Sequence, residues 1–381
     1  MSRPVPLRLL LALAAGTGGL ACAMDLPLQE RIASTRPLAM RVDVVDPTAD
    51  PEAAVRNEAL PLETIAITPL LVDPAGVLDD ARIEAEVQPV WLACPLQPIE
   101  GVFGCLSSRL PLALEDIEAC PTVDLASLDL QSGNVPQVPV PCRIEAGTPA
   151  RPQLQVPIHP NLLIGGDLEI TMIGHVPGES STEACAEAVL GQADELSASC
   201  IVASHRASVG PDSEILALAS AFGIEGLGEV DVAAPPEPPA PDTHPRILTF
   251  TVAITDENDE VLQTLEVARG DTVVVAPGQS LQIVTTTDEA DLQTYYIAQD
   301  NDQFEETREF LNGSWFRTWG ELLSPVSDDP MSMNTWTMVP GEQDEREPQR
   351  PPDDRATLYY VLRDSRQGVD WWWFSVDVTA P

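Results

Sequence analysis

The sequence predicts an all-β protein, two antiparallel β-sandwich domains of Ig-like type joined by a proline-rich linker. Three observations carry that prediction. Apolar residues alternate with polar ones in many short runs, turn-forming sequences separate the runs, and only two segments read as helices. The chain has 381 residues, of which 44% are hydrophobic and 21% charged, the balance of folded domains rather than of charge-dominated disorder.

Taken in order, the chain opens on a segment with Arg3 and Arg8 and no acid, then an unbroken apolar run from Leu9 to Ala15 and small residues up to Cys22. This is the organisation of a secretory signal peptide over residues 1–21. The apolar stretch ending at Ala21 is shorter than the ~20 residues a membrane span requires. Gly19-Leu-Ala-Cys22 resembles the lipobox of bacterial lipoproteins, with Gly19 where that motif favours leucine. The resemblance implies that Cys22 carries a diacylglyceryl group and starts the mature chain; an ordinary signal peptide cut after Ala21 or Ala23 is the alternative. Residues 22–35 read as a tether.

The first domain is expected over 36–232. Leu38, Met40, Val42 and Val44 alternate with polar partners, as do Ile83, Ala85 and Val87, and Leu168, Ile170 and Met172, so each run reads as a half-buried strand. Asp73 to Gly76 supplies a turn. Short helices are expected at Thr182 to Leu190 and Glu214 to Phe222. Setting Cys22 aside leaves Cys94, Cys105, Cys120, Cys142, Cys185 and Cys200, an even set that reads as three disulfides in an oxidising compartment. Neighbour pairing is the simplest of the possible connectivities, and the proline-rich stretch from Cys94 to Cys142 reads as a disulfide-pinned insertion.

Residues 233–245 form the linker, with five prolines between Pro235 and Pro241, a composition that suits a stiff extended spacer. Beyond it, over 246–381, lie all but three of the chain's aromatic residues; Trp91, Phe103 and Phe222 precede it. Leu248, Phe250, Val252 and Ile254 open this second domain as a strand, and further strands are expected at 261–267, 280–286, 357–362 and 369–378.

Sixty acids stand against 20 basic residues, a net charge of -40, and every basic residue is arginine. Such a chain repels a polyanion, which excludes a nucleic-acid binder and leaves the N-terminal lipid as the expected hold on a membrane. Catalytic motifs are sparse. His159, His175, His205 and His244 fall in no metal-binding spacing, Gly313-Ser314 lacks the glycine of a nucleophile elbow, and no lysine exists for a Schiff base. No catalytic residue, metal site or cofactor is therefore assigned. Asp256-Glu-Asn-Asp-Glu260 and the acids at 288, 289, 291, 300 and 302 offer oxygens for calcium, though a solvated turn uses the same residues.

Arg36-Pro-Leu-Ala-Met-Arg-Val, Trp91-Leu-Ala-Cys94, Ser314-Trp-Phe-Arg-Thr-Trp-Gly320 and Leu362-Arg-Asp-Ser-Arg-Gln-Gly368 together resemble uncharacterised multi-domain lipoproteins of Gram-negative bacteria. That resemblance covers most of the mature chain and implies a secreted, lipid-anchored, Ig-like architecture. Ala23 after Cys22 points to the outer membrane. Trp371-Trp372-Trp373-Phe374 is the sharpest local feature. Strand alternation puts Trp372 and Phe374 on the core side with Val376 and Val378, and Trp371 and Trp373 on the other. The second pair is expected to lie under a loop, to dock on the first domain, or to form a platform for a glycan or protein partner. The reading that results is a non-enzymatic, lipid-anchored surface protein displaying an interaction or structural module. The alternatives are a secreted hydrolase of polysaccharide or protein, and a glycan-binding module.

Overall fold

A computed structural model describes residues 29–46, 54–96, 112–123, 138–163, 166–176, 180–191, 197–210, 241–288, 292–298, 304–327, 331–338 and 353–379, with a few single positions between them. Cys22, Cys105, the helix expected at 214–222 and linker residues 233–240 lie outside these. The first half runs β1 (Arg36–Val44), β2 (Thr64–Asp73), β3 (Gly76–Val77), β4 (Val90–Pro95), β5 (Cys142–Arg143), β6 (Ala146–Gly147), β7 (Pro152–Gln155), β8 (Asp167–His175) and β9 (Cys200–Ser208). Two antiparallel sheets result, in the orders β1-β2-β7-β6 (with β3 on β2) and β5-β4-β8-β9. Their inner faces enclose one core, with Val42 and Ile67 from one sheet meeting Trp91 and Ile170 from the other. The period-two alternation read from β1 and β8 is what puts these residues on one side.

The second half runs β10 (Ile247–Thr255), β11 (Val261–Glu266), β12 (Thr272–Val275), β13 (Ser280–Thr287), β14 (Thr294–Ala298), β15 (Phe304–Arg308), β16 (Leu311–Arg317), β17 (Glu321–Leu322), β18 (Val326–Ser327), β19 (Met331–Thr337), β20 (Arg355–Asp364) and β21 (Val369–Val378). One sheet is ordered β11-β10-β13-β19-β17, the other β12-β21-β20-β16-β18, and β14 pairs with β15 alone. Pairing is antiparallel except between β12 and β21, which run parallel. The core between the two larger sheets is aromatic. Phe250 meets Phe374 edge-on at 5.5 Å, and Trp315 lies 4.6 Å from Tyr360. At Trp319-Gly320 the glycine holds a φ of 79°, and a Cβ there would collide with the indole of Trp336, whose Nε1 donates to the Trp319 carbonyl at 2.9 Å.

Three local expectations are corrected. Ile83, Ala85 and Val87 are not a strand: Asp80–Arg82 begins a helix that continues as a π turn over Ile83–Val87. Asp79 caps it by accepting the Arg82 N–H, and the Arg82 guanidinium binds Glu86 four residues on and Asp73. Ile83 and Val87 are both buried and four apart, a spacing that fits a helix face as well as alternate strand positions. Next, residues 241–245 are not part of a free spacer, because Asp242 and His244 are fully buried. Finally, the tether does not run free up to residue 35. Ile32 is buried, its N–H donates to the Arg317 carbonyl, and the Arg317 N–H donates to Glu30.

Two disulfides join described residues. Cys120–Cys142 spans 4.8 Å between Cα atoms and holds the described part of the insertion against β5; Cys185–Cys200 spans 5.4 Å and ties the helix Thr182–Val189 to β9. Cys94 is also disulfide-bonded, to a partner outside the described residues. That helix matches the sequence expectation and is capped by Ser181, which accepts the Ala184 N–H.

Candidate functional site

The residues with unusual chemistry converge where the two halves meet. Tyr359 and Val361 on β20 and Trp371 on β21 project from the face opposite the aromatic core, as alternation requires. They meet Leu38 of β1 and Leu70 and Val72 of β2, with Ile32 alongside, in a third apolar cluster drawn from both halves. Trp371 is therefore 8% exposed and Trp373 half-buried against the same cluster. The exposed platform is corrected to an internal contact, because β1 and β2 cover the face that alternation turned away from the core. Trp372 is half-buried rather than deep. It stacks parallel on Phe250 at 5.9 Å, and the Arg269 guanidinium lies 5.2 Å above it and 5.7 Å from Trp373.

His244 pins the joint. Its Nδ1 accepts the Val369 N–H at 2.9 Å, so the proton resides on Nε2, which donates to the Val42 carbonyl at 3.0 Å and lies 3.1 Å from Asp43 Oδ1. Burial lowers the imidazole pKa, against the pull of Asp43, which keeps this neutral tautomer in place.

Beside it, Arg366 and four acidic residues form a knot. The Arg366 guanidinium bonds Glu58 from the first half through Nη2, while Nη1 lies 3.2 Å from Glu309 and 3.6 Å from Asp242. Asp242 is held further by the Asn57 amide at 2.7 Å. Asp364 sits in the tight β20–β21 turn, its Oδ1 accepting the N–H groups of Arg366 and Gly368 at 2.8 and 2.7 Å. Three carboxyl groups thus lie against one guanidinium, with that of Asp364 beside them in the turn. Burial, and then the neighbouring Asp364, push the Asp242 pKa up to about 8 despite Arg366; burial raises Asp364 to about 6. Asp242, Glu309 and Asp364 bring oxygens within 4.8 Å of one another, a spacing suited to a divalent cation. Arg366 Nη1 already lies against two of the three, Glu309 and Asp242.

A cleft of about 600 Å³ opens next to the knot, between β1, β9 and the β20–β21 turn. Its wall includes His205, Arg206, Arg363 and Gln367, none of which the sequence reading singled out as a site residue except as a histidine without a motif. These positions are far apart in the chain and carry no spacing signal.

The acids proposed for calcium are engaged in turns. Asp256 Oδ1 accepts the N–H groups of Asn258 and Glu260 at 2.8 and 2.9 Å, closing the β10–β11 hairpin. Asp288 pairs with Arg246 at 3.3 Å. Residues 289, 291, 300 and 302 lie outside the described residues.

No family model matches the chain, and no curated protein matches it. Among solved structures it is similar to the dimeric latent PorU of Porphyromonas gingivalis, at 12% identity over 90% of this chain, with a TM-score of 0.19. The chain spans 24% of the length of that protein, and a likeness at this score supports no argument about either fold or function.

Proposed function

We propose that this protein is an exported, non-enzymatic surface lipoprotein, anchored through a diacylglyceryl group on Cys22 at the outer membrane of a Gram-negative bacterium. Its two β-sandwich domains, read as Ig-like, act in it as one rigid interaction module. The supporting observation is the shared apolar cluster at the joint. Burying Trp371, Tyr359 and Val361 against β1 and β2 removes the freedom that separate beads on a proline spacer would have. The -40 charge supports the anchor, since a strongly anionic body has no attraction of its own for an anionic surface and needs acyl chains to stay there.

Mass spectrometry of the mature N-terminus, on protein extracted from the membrane fraction, tests the reading. A diacylglyceryl adduct on Cys22 is expected. A free terminus at Ala23 or Met24 with no lipid would overturn it.

A further inference from the structure

With three acids for every arginine in the chain, a guanidinium in this protein has carboxylates to choose from. Arg363 has none. Its Nη2 donates to the Leu38 carbonyl at 2.6 Å, and among the described residues no ion pair engages it. Arg206 on the same cleft has Asp167 at 3.6 Å, and Arg366 one turn away is packed among carboxylates. Burial lowers the Arg363 pKa with no acid offsetting the effect, so the charge is desolvated and uncompensated.

What lies in front of Arg363 is the 600 Å³ cleft, a size typical of small-molecule sites and far larger than an inorganic ion. His205 lines it without a hydrogen bond to any described side chain or backbone group. Burial above all, with the Arg363 guanidinium nearby, depresses its pKa to about 3, so it faces the cleft as a neutral group able to donate or accept. Ser204 lines the cleft too, and its buried Oγ has no hydrogen-bond partner among the described residues. Asp364 is on the wall; its Oδ1 is committed to the turn, its buried Oδ2 has no hydrogen-bond partner among the described residues, and burial raises its pKa to about 6. Pro37 to Met40 and Val369 supply the apolar remainder.

We propose that this cleft binds a small organic carboxylate, with Arg363 taking the carboxylate group and the β1 wall receiving an apolar body. A guanidinium presents paired N–H donors that match a planar carboxylate. The surrounding field favours a monoanion over a phosphate dianion, which a net charge of -40 repels about twice as strongly. The site stands independently of the membrane anchor.

The test uses the whole mature chain and phenylacetate as the probe, with phenylacetamide as its neutral counterpart. Because the chain has only four histidines, their ring signals can be followed individually by NMR. Phenylacetate is expected to shift the His205 signals in a saturable way while His159, outside the cleft, stays fixed; phenylacetamide shifts neither. Arg363→Gln should weaken the probe by ~10-fold or more, and Arg363→Lys by less. Several results would overturn the site: no His205 shift with phenylacetate up to ~10 mM, equal binding of the amide, or unchanged affinity in a folded R363Q protein. Sulfate competing as well as phenylacetate would overturn the organic ligand. Should R363Q fail to fold, the comparison of acid with amide on the native chain still decides.

Discussion

Asp242 shows how far burial controls this protein's ionisation. A carboxyl raised to about 8 in the folded chain and near 3.8 when unfolded keeps a proton on folding that the open chain loses. Its stabilising contribution is complete below about pH 4 and is lost as pH climbs to about 8; Asp364 adds the same trend up to about 6. Thermal melts between pH 5 and 8.5 should therefore show stability falling. Asp242→Asn keeps the size and the bond from Asn57 replaced by an amide contact, and should flatten the profile and raise stability at pH 8 by ~1–2 kcal/mol. A profile identical to wild type would remove Asp242 from the account. Truncating Arg366 to alanine works the other way. It leaves Glu58, Asp242 and Glu309 buried without a cation and should cost ~3–5 kcal/mol by chemical denaturation.

Among the elements, the strands were legible where apolar residues recur at every second position, as in β1, β8 and β10, because that alternation records the face turned to the core; in β20 and β21 both faces are buried, one in the aromatic core and the other in the cluster shared with β1 and β2. The π turn at Ile83 was not, since two apolar residues four apart satisfy both a helix face and every second strand position. The tryptophan run was half legible. Alternation assigned Trp371 to the outer face correctly, but nothing local in a strand tells whether that face meets water or another sheet. The knot and the cleft had no signature, as Glu58, Asp242, Glu309 and Arg366 meet only through tertiary packing. The position of Trp371 carries a prediction. Trp371→Ala should cost ~3–5 kcal/mol in equilibrium unfolding, as expected for a large buried side chain. An effect within ~0.5 kcal/mol would instead mark Trp371 as a surface residue.

At the scale of the whole molecule, two sandwich cores are bridged by a third cluster, by His244 and by the knot around Arg366. Separate domains on a spacer would melt independently, whereas halves coupled through this much buried surface should melt together. Calorimetry of the native chain should show one transition, and Trp371→Ala should split it in two; two transitions in the native chain would contradict the coupling.

The pairing of Ile32 with Arg317 gives the joint a mechanical meaning. The chain crosses from the N-terminal side onto the second half before it enters β1, so a pull on the N-terminal segment is delivered to the seam between the halves, not to the far end of either. With Cys22 held in a bilayer, the eight residues before Glu30 span at most about 28 Å. The body would be carried close to its support by its waist. Drag on the protein would load the Ile32 cluster, where the two halves touch, before it reached the core of either sandwich.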